Sequence, residues 1–292
     1  MKTSLDSCVL AMDAGGTTIK AALIVNGPEL LDFFETHIPE GGSAPSIFSA
    51  FEEASNKGAA YAAARGMVLR GIGVCIPGPF DYLGGVSLMT HKYQAIRGLP
   101  LRPSIQNAVP NLPVKFMHDS SAFLLGELAM LEKQEKDVCA VIIGTGLGFA
   151  CTREGRLFEN ENGGPGISIF RRPYKGETAE DFVSKRGIMR SYAKLGGLKA
   201  QSVKEMAELA RMGDTTACQA FQQTGEALAG ILAPILLENG FECMILGGQI
   251  AKSGALLLKP IQESLLRNHI ACRVVAAQSI DDAPLYGAAQ QI

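Results

Sequence analysis

Apolar residues in this chain fall in short runs broken by glycine, and the length of each run separates strands from helices. Ser7–Asp13 (SCVLAMD) is too short for a helix and stops at Gly15-Gly16, which predicts a buried strand. Thr18–Val25 predicts a second strand, closed by the hairpin signal Asn26-Gly27, and Glu29–His37 a third. The Ala-rich stretch Ser46–Ala64 reads as a helix. Met67–Cys75 predicts a strand ending in the stiff turn Pro77-Gly78-Pro79, and residues 80–113, dense in Gly and Pro, read mainly as loop. Val114–His118 predicts a strand that runs straight into a helix over Ser120–Leu131.

The same layout begins again at Val138. Val138–Ile143 is an apolar strand, Gly144-Thr145-Gly146 a glycine turn, and Leu147–Thr152 a second strand ending at Glu154-Gly155. Helical patterns follow over Ala179–Leu195, Ser202–Ala210 and Thr215–Leu237. A strand over Glu242–Leu246, a helix over Ile250–Leu266 and a strand over Cys272–Ala276 complete the order. Helices that follow strands throughout give an α/β protein with mixed sheets. A hairpin unit that occurs twice predicts two related domains facing a shared cleft. The first spans residues 1–118 with a returning C-terminal helix over 281–292, and the second spans 119–280. A length of 292 residues agrees, at ~150 residues per domain.

Composition removes several function classes. With 47% hydrophobic and 19% charged residues the chain lies far from the signature of disorder. Lys and Arg number 27 against 29 Asp and Glu, a net charge of −2, which excludes a dominating nucleic-acid surface. The longest charge-free run, Val138–Thr152, holds three glycines and falls short of the ~20 residues needed to cross a bilayer. Lys2 is followed by Asp6, and the next apolar run enters a glycine turn, unlike a signal peptide. Seven cysteines, none closer than twelve residues to the next, give no CxxC motif, and their odd number suits a reducing cytoplasm. The expectation is a soluble cytoplasmic protein that partners neither nucleic acid nor membrane.

The chemistry concentrates in the two glycine turns. Closely spaced backbone N–H groups bind phosphate, and glycine lets the backbone approach without a Cβ in the way. A Walker A loop is excluded because the chain contains no Gly-Lys dipeptide. A Rossmann fingerprint is excluded because Gly146 is followed by Leu147, Gly148 and Phe149. Both turns also join strand to strand, where those motifs join strand to helix. The plainer reading is that each turn only closes a hairpin. Asp13, one residue ahead of Gly15-Gly16-Thr17-Thr18, adds a carboxylate able to hold a Mg2+ water shell beside hydroxyls and amides that meet phosphate. Its plainer reading is an ordinary turn aspartate.

These residues carry a family resemblance. Asp13-Ala-Gly-Gly-Thr-Thr-Ile-Lys20 resembles the first phosphate motif of the ROK sugar kinases, members of the actin and hexokinase superfamily. Gly144-Thr-Gly-Leu-Gly148 resembles the second phosphate motif. Leu246-Gly-Gly-Gln-Ile250 is similar to the adenosine motif, with Gln249 where the family prefers a further glycine. His118-Asp-Ser-Ser-Ala122 resembles the catalytic Asn-Asp-Ala segment, and Asp281-Asp-Ala-Pro-Leu-Tyr-Gly-Ala-Ala289 the closing segment. The anchors run in the family's order from residue 13 to residue 289. The resemblance implies two actin-like (ribonuclease H-like) α/β domains flanking a nucleotide and sugar cleft. It implies a homodimeric, Mg2+-dependent kinase that phosphorylates a sugar hydroxyl, with ATP as donor and polyphosphate as the alternative.

The same resemblance distributes roles. Asp119 becomes the general base, because a sugar hydroxyl is a poor nucleophile until a positioned carboxylate accepts its proton. The plainer reading of Asp119 is a helix N-cap. Asp13 organises Mg2+ indirectly. Gly15, Gly16, Thr17, Thr18, Lys20, Gly144, Thr145 and Gly146 serve the phosphates, and Gly247 and Gly248 border the adenosine. Gly78, His91, His118, Asp119 and Ile167 fall at sugar-contacting positions.

Several of those positions depart from the family. His118 replaces an asparagine, and His91-Lys-Tyr-Gln-Ala-Ile-Arg-Gly-Leu-Pro-Leu101 lacks the usual Asn and Trp. In Gly163-Gly-Pro-Gly-Ile-Ser-Ile-Phe170, Ile167 stands where the family has a sugar-binding Glu and Phe170 where it has a zinc-ligating His. The cysteine-rich zinc loop is replaced by Arg171-Arg-Pro-Tyr-Lys-Gly176, so no four-ligand zinc site is expected. Ile167 and Phe170 either form an apolar pocket wall or fill the volume of the missing zinc loop. Loss of the Glu predicts a substituted sugar as a better substrate than plain glucose. Two rivals stand beside the kinase. One is a sugar- or nucleotide-binding protein with weak or no turnover. The other is a ROK-type repressor, disfavoured because the twelve residues ahead of Asp13 are too few for a helix-turn-helix.

Overall fold

A computed structural model describes residues 6–25, 29–131 and 135–292, so the Asn26-Gly27 turn lies outside the described residues. The chain divides into two compact units. The first combines Met1–Glu132, Glu159–Pro165 and Asp281–Ile292, and the second combines Lys133–Phe158 and Gly166–Ile280.

The first unit opens with strands β1 (Ser7–Ala14), β2 (Thr18–Val25) and β3 (Glu29–His37), then helix α1 (Ala44–Ala64) and strand β4 (Val68–Ile76). A small hairpin, β5 (Phe80–Asp81) with β6 (Val86–Ser87), precedes helix α2 (Arg102–Ala108), strand β7 (Val114–His118) and helix α3 (Asp119–Leu128). The sheet order is β3-β2-β1-β4-β7, with β1, β4 and β7 parallel and β2 antiparallel to both its neighbours. Alternation along β1 sends Leu10 and Met12 to one face, where they join Ile47 and Phe51 of α1 in a single core. Each such apolar side chain taken fully out of water contributes ~1.5–3 kcal/mol. Ser43 starts α1 by accepting a hydrogen bond from the Ser46 amide at 3.4 Å.

The second unit repeats the plan. It contains β8 (Val138–Ile143), β9 (Leu147–Arg153), β10 (Arg156–Leu157), β11 (Pro173–Tyr174) and β12 (Glu177–Thr178). Helices α4 (Ala179–Phe182), α5 (Lys185–Lys194), α6 (Val203–Arg211) and α7 (Thr215–Asn239) follow, then β13 (Cys243–Gly247), α8 (Ala255–Arg267) and β14 (Arg273–Ala276). The order β10-β9-β8-β13-β14, with β8, β13 and β14 parallel, copies the first sheet. Cys139, Val141, Met244 and Leu246 share their core with Phe221, Leu228, Leu232 and Leu236 of α7.

Helix α9 (Ala283–Ala289) returns the chain to the first unit. It packs backbone to backbone. A Cβ on Gly287 would lie 1.8 Å from the Ala122 carbonyl oxygen, one on Gly126 2.0 Å from that of Ala283, and one on Gly73 2.0 Å from that of Ala288. Gly73 is in register with Ala11, whose side chain points away from the α1 side, so α1 and α9 cover opposite faces of the sheet.

The structure redraws several sequence expectations. Residues 80–113 hold the β5–β6 hairpin and α2, whose Pro103 lies in the first helical turn, where a missing N–H costs nothing. The expected helix over 179–195 is two helices, because Ser184 caps a new start by accepting from the Gly187 amide at 3.3 Å. The helix expected over 250–266 begins only at Ala255, after a 3-10 turn (Gln249–Ser253) that ends at Gly254, with φ of 62°. Helix α3 sits in the first unit beyond the expected boundary at residue 118, and the arm Glu159–Pro165 joins that unit through the Tyr82 amide, which donates to the Asn162 carbonyl at 2.9 Å. Among the described residues no helix is long and apolar enough to cross a membrane.

Candidate active site

Parallel strands that stop together present their C-terminal ends along one edge, and in the first unit those ends gather the candidate residues. Asp13 of β1 is in register with Cys75 of β4 and, across the antiparallel pair, with Lys20 of β2. Ile76 of β4 is in register with His118 of β7, so Gly78, His118 and Asp119 come to the same edge as Asp13 and Lys20. The turn between β1 and β2 is closed by the Gly15 amide, which donates to the Thr18 carbonyl at 2.9 Å, and Thr17 is exposed at its tip.

Three residues that the sequence reading did not single out reach this turn. Buried Tyr93 donates its hydroxyl to the Gly15 carbonyl. A Cβ on Gly16 would lie 3.3 Å from a Glu40 carboxylate oxygen and 3.9 Å from Lys92 Nζ. Lys92 also acts electrostatically on both Asp13 and Asp119. These residues come from loops remote in sequence, and only the presence of Lys92 and Tyr93 in the divergent 91–101 segment hinted at them. His91 is exposed and makes no hydrogen bond among the described residues.

The two carboxyls of this edge are driven in opposite directions. Burial pushes the Asp13 carboxyl up, although Cys75 Sγ donates to its Oδ1 at 3.4 Å and Lys20 and Lys92 pull it back. Burial also opposes charge on Asp119, but His118, the Ser120 amide and Lys92 together outweigh it and hold that carboxyl below its usual range. His118 Nδ1 lies 2.8 Å from Asp119 Oδ1, and the Ser120 amide donates to the same oxygen at 2.7 Å. The N-cap of α3 is His118, and Asp119 is the first helical residue with half of its side chain exposed. Gly78 is packed against this pair: its Cβ would meet Tyr82 Oη at 3.2 Å and His118 Cδ2 at 3.3 Å.

The second unit builds its own edge in the same way. The Gly144 amide donates to the Gly146 carbonyl at 3.0 Å, and the Lys185 amide at the start of α5 donates to the Gly144 carbonyl at 2.8 Å. Gly144 has no atom within 4 Å of where a Cβ would stand, Thr145 is exposed, and Glu180 accepts from the Leu147 amide at 3.0 Å. Gly247 of β13 is in register with Ile142 of β8, which brings Gly248 beside that turn. Gly248 has φ of 82°, and a Cβ there would lie 2.3 Å from the Ile143 carbonyl oxygen, so only glycine fits. Next to it a cavity of about 380 Å³ is lined by apolar Val203, Ala207 and Ile250 and by the cations Lys185, Lys204 and Arg211. The α6 residues of this cavity carry no local sequence signal.

Ile167 lies in the second unit, half-buried against its core, and Phe170 is exposed beneath the Arg171 guanidinium. Among the described residues no group of three or more His, Cys, Asp or Glu side chains is placed to hold a metal ion.

A family model described as the ROK family matches residues 9–292. Over 292 aligned residues the chain is 25% identical to the N-acetylmannosamine kinase of Shigella flexneri, covering 96% of this chain and 97% of that one. Over 317 aligned residues it is 23% identical to the glucokinase of Thermotoga maritima, covering 97% and 96%. Among solved structures, the ROK family glucokinase from Streptomyces griseus in complex with glucose and AMPPNP matches with a TM-score of 0.79 at 24% identity, covering 98% of this chain and 99% of that one.

Proposed function

Because this chain belongs to the ROK family and is a carbohydrate kinase, we propose that it transfers the terminal phosphoryl group of ATP to a sugar hydroxyl, with Asp119 as general base. The observation that carries this reading is Asp119 itself, half exposed at the head of α3 and held below the usual carboxylate range by its neighbours. As the hydroxyl oxygen bonds to phosphorus, the bond from phosphorus to the bridging oxygen of ADP breaks and the hydroxyl proton passes to Asp119.

The remaining roles follow the two glycine turns. In the first unit Gly15 closes the turn, and the Gly16 amide and the hydroxyls of Thr17 and Thr18 serve phosphate oxygens, with Lys20 as a nearby cation. A single carboxylate beside hydroxyls and amides suits Mg2+, which keeps most of its water, and Asp13 would hold the ion through that water shell. When bound, Mg2+ neutralises charge on the phosphates. In the second unit Gly144, Thr145 and Gly146 form the other phosphate turn. The cavity beside Gly247 and Gly248 takes the adenosine, with Val203, Ala207 and Ile250 against the base.

For the sugar we propose an N-acetylated or otherwise substituted hexose. Ile167 cannot accept from a hydroxyl, and each buried hydroxyl left unpaired costs roughly 1–3 kcal/mol. The N-acetylmannosamine kinases among the relatives support the same choice. ADP release measured over a panel of hexoses, N-acetylhexosamines and glycosides tests the substrate. A tenfold preference for glucose would overturn the substituted-sugar reading and leave the kinase intact. Asp119→Asn tests the mechanism: kcat should fall by ~10²–10⁴-fold with ATP affinity nearly unchanged, and a variant with wild-type kcat would remove Asp119 from the chemistry. Sugar and nucleotide binding without any ADP release would favour a binding protein instead.

A further inference from the structure

His118 stands where the family carries asparagine, and its surroundings give it a task other than touching the sugar. Its Nδ1 lies 2.8 Å from Asp119 Oδ1. An ionised carboxylate only accepts, and an imidazole nitrogen without hydrogen also only accepts, so a contact this short needs a proton between them. We propose that His118 is the positioning residue of the base: a proton on Nδ1 fixes the Asp119 carboxylate through Oδ1 and leaves Oδ2 to take the sugar proton. This rests on the reading of Asp119 as the base.

The local geometry supports that division of labour. The Ser120 amide lies 2.7 Å from Oδ1 and 3.1 Å from Nδ1, which accepts from it as the N-cap when bare; with a proton on Nδ1 the amide is left to Oδ1 alone, so two donors fall on one oxygen and set the plane of the carboxylate. Once Nδ1 carries a proton, Ser120 Oγ, 2.8 Å away, is placed as an acceptor. The imidazole is itself pinned. The Tyr82 ring meets it edge-on at 5.8 Å between centroids, and Gly78 packs so closely that any side chain there would crowd Cδ2. Tyr82 in turn donates to the Ile76 carbonyl at 3.2 Å. Other ionisable groups act on the pair or lie beside it. Asp13 and Lys92 act on Asp119 by charge, while burial pushes the Cys75 thiol and the Tyr82 phenol up and keeps both neutral. None of these groups replaces the Nδ1 proton at Oδ1.

The test compares wild type, His118→Ala and His118→Asn for kcat, sugar KM, ATP Kd and the pH profile of kcat/KM. In His118→Ala, kcat should fall between ~10- and ~100-fold because the carboxylate is no longer aimed, while sugar KM and ATP Kd stay within about twofold. The acid limb of kcat/KM should move to higher pH, because His118 is what chiefly holds Asp119 low. His118→Asn, whose amide N–H can donate to the same oxygen, should recover most of kcat yet keep a raised acid limb, since it carries no charge. A rise in KM at unchanged kcat would make His118 a sugar contact and overturn the proposal, as would an acid limb that stays in place. Should His118→Ala fail to fold, the acid limb of His118→Asn decides alone. Loss of the parent reading would show separately, as wild-type kcat in Asp119→Asn.

Discussion

Two aspartates on one sheet edge feel opposite fields, and the difference has consequences for stability. Asp13 is raised by burial, so its ionised form is favoured in the unfolded chain, and the native state loses stability as pH rises through the carboxylate range. Asp13→Asn should therefore raise the thermal midpoint of the ligand-free protein at neutral pH and, on the proposed role of Asp13, lower turnover measured with Mg2+. The gain should vanish below the unfolded carboxylate range, where both chains are neutral at this position. Asp119 has the opposite sign: it is lowered, so its contribution is present above the unfolded value and lost as pH falls through the folded one. Its half-exposed side chain keeps that contribution small. Thermal melts of both Asn variants across pH 3–8 check the two signs, and identical pH profiles would contradict them.

Glycine turns at the ends of paired strands look alike in sequence but differ in what they tolerate. Gly248 has a left-handed backbone and the Ile143 carbonyl 2.3 Å from any added Cβ, whereas Gly144 faces open space. Gly248→Ala should destabilise by at least ~1–3 kcal/mol through overpacking, read as a lower denaturation midpoint. Gly144→Ala should keep the midpoint, with stability within ~0.5 kcal/mol, and weaken ATP binding by crowding the approach of phosphate. If Gly144→Ala binds ATP normally, the turn is only a hairpin closure. Strands and their glycine turns were legible because short apolar runs bounded by Gly-Gly or Gly-Thr-Gly allow few alternatives. Asp119 was legible from the strand-to-helix junction, and His118 from its departure at that junction. Helix α2 was hidden by Pro103, and the breaks at Ser184 and Gly254 by an unbroken helical pattern. Lys92, Tyr93 and Val203 reach the two edges only through long-range packing, which no local pattern encodes.

At the scale of the molecule, each unit has its own sheet and core, but only the second closes from neighbouring chain. The first is finished by α9, held against α3 and β4 by glycines with no room for a methyl group. Gly287→Ala should destabilise the first unit by ~1–3 kcal/mol or more, because the clash at 1.8 Å is with backbone that cannot turn aside. Gly41→Ala, at an open position, serves as the control and should leave the denaturation midpoint in place. The same closure sets a timetable for biosynthesis. Asp281 leaves the ribosome about 150 residues after Glu132, a delay on the order of 10–30 s at ~5–20 residues per second. Throughout that interval the strip bearing Gly73 and Gly126 waits uncovered, while the second unit already has the strands and helices for its own core. The nascent first unit is thus the part of this kinase that holdase chaperones would occupy, and its candidate edge acquires its supporting helix only after the whole second unit has been made.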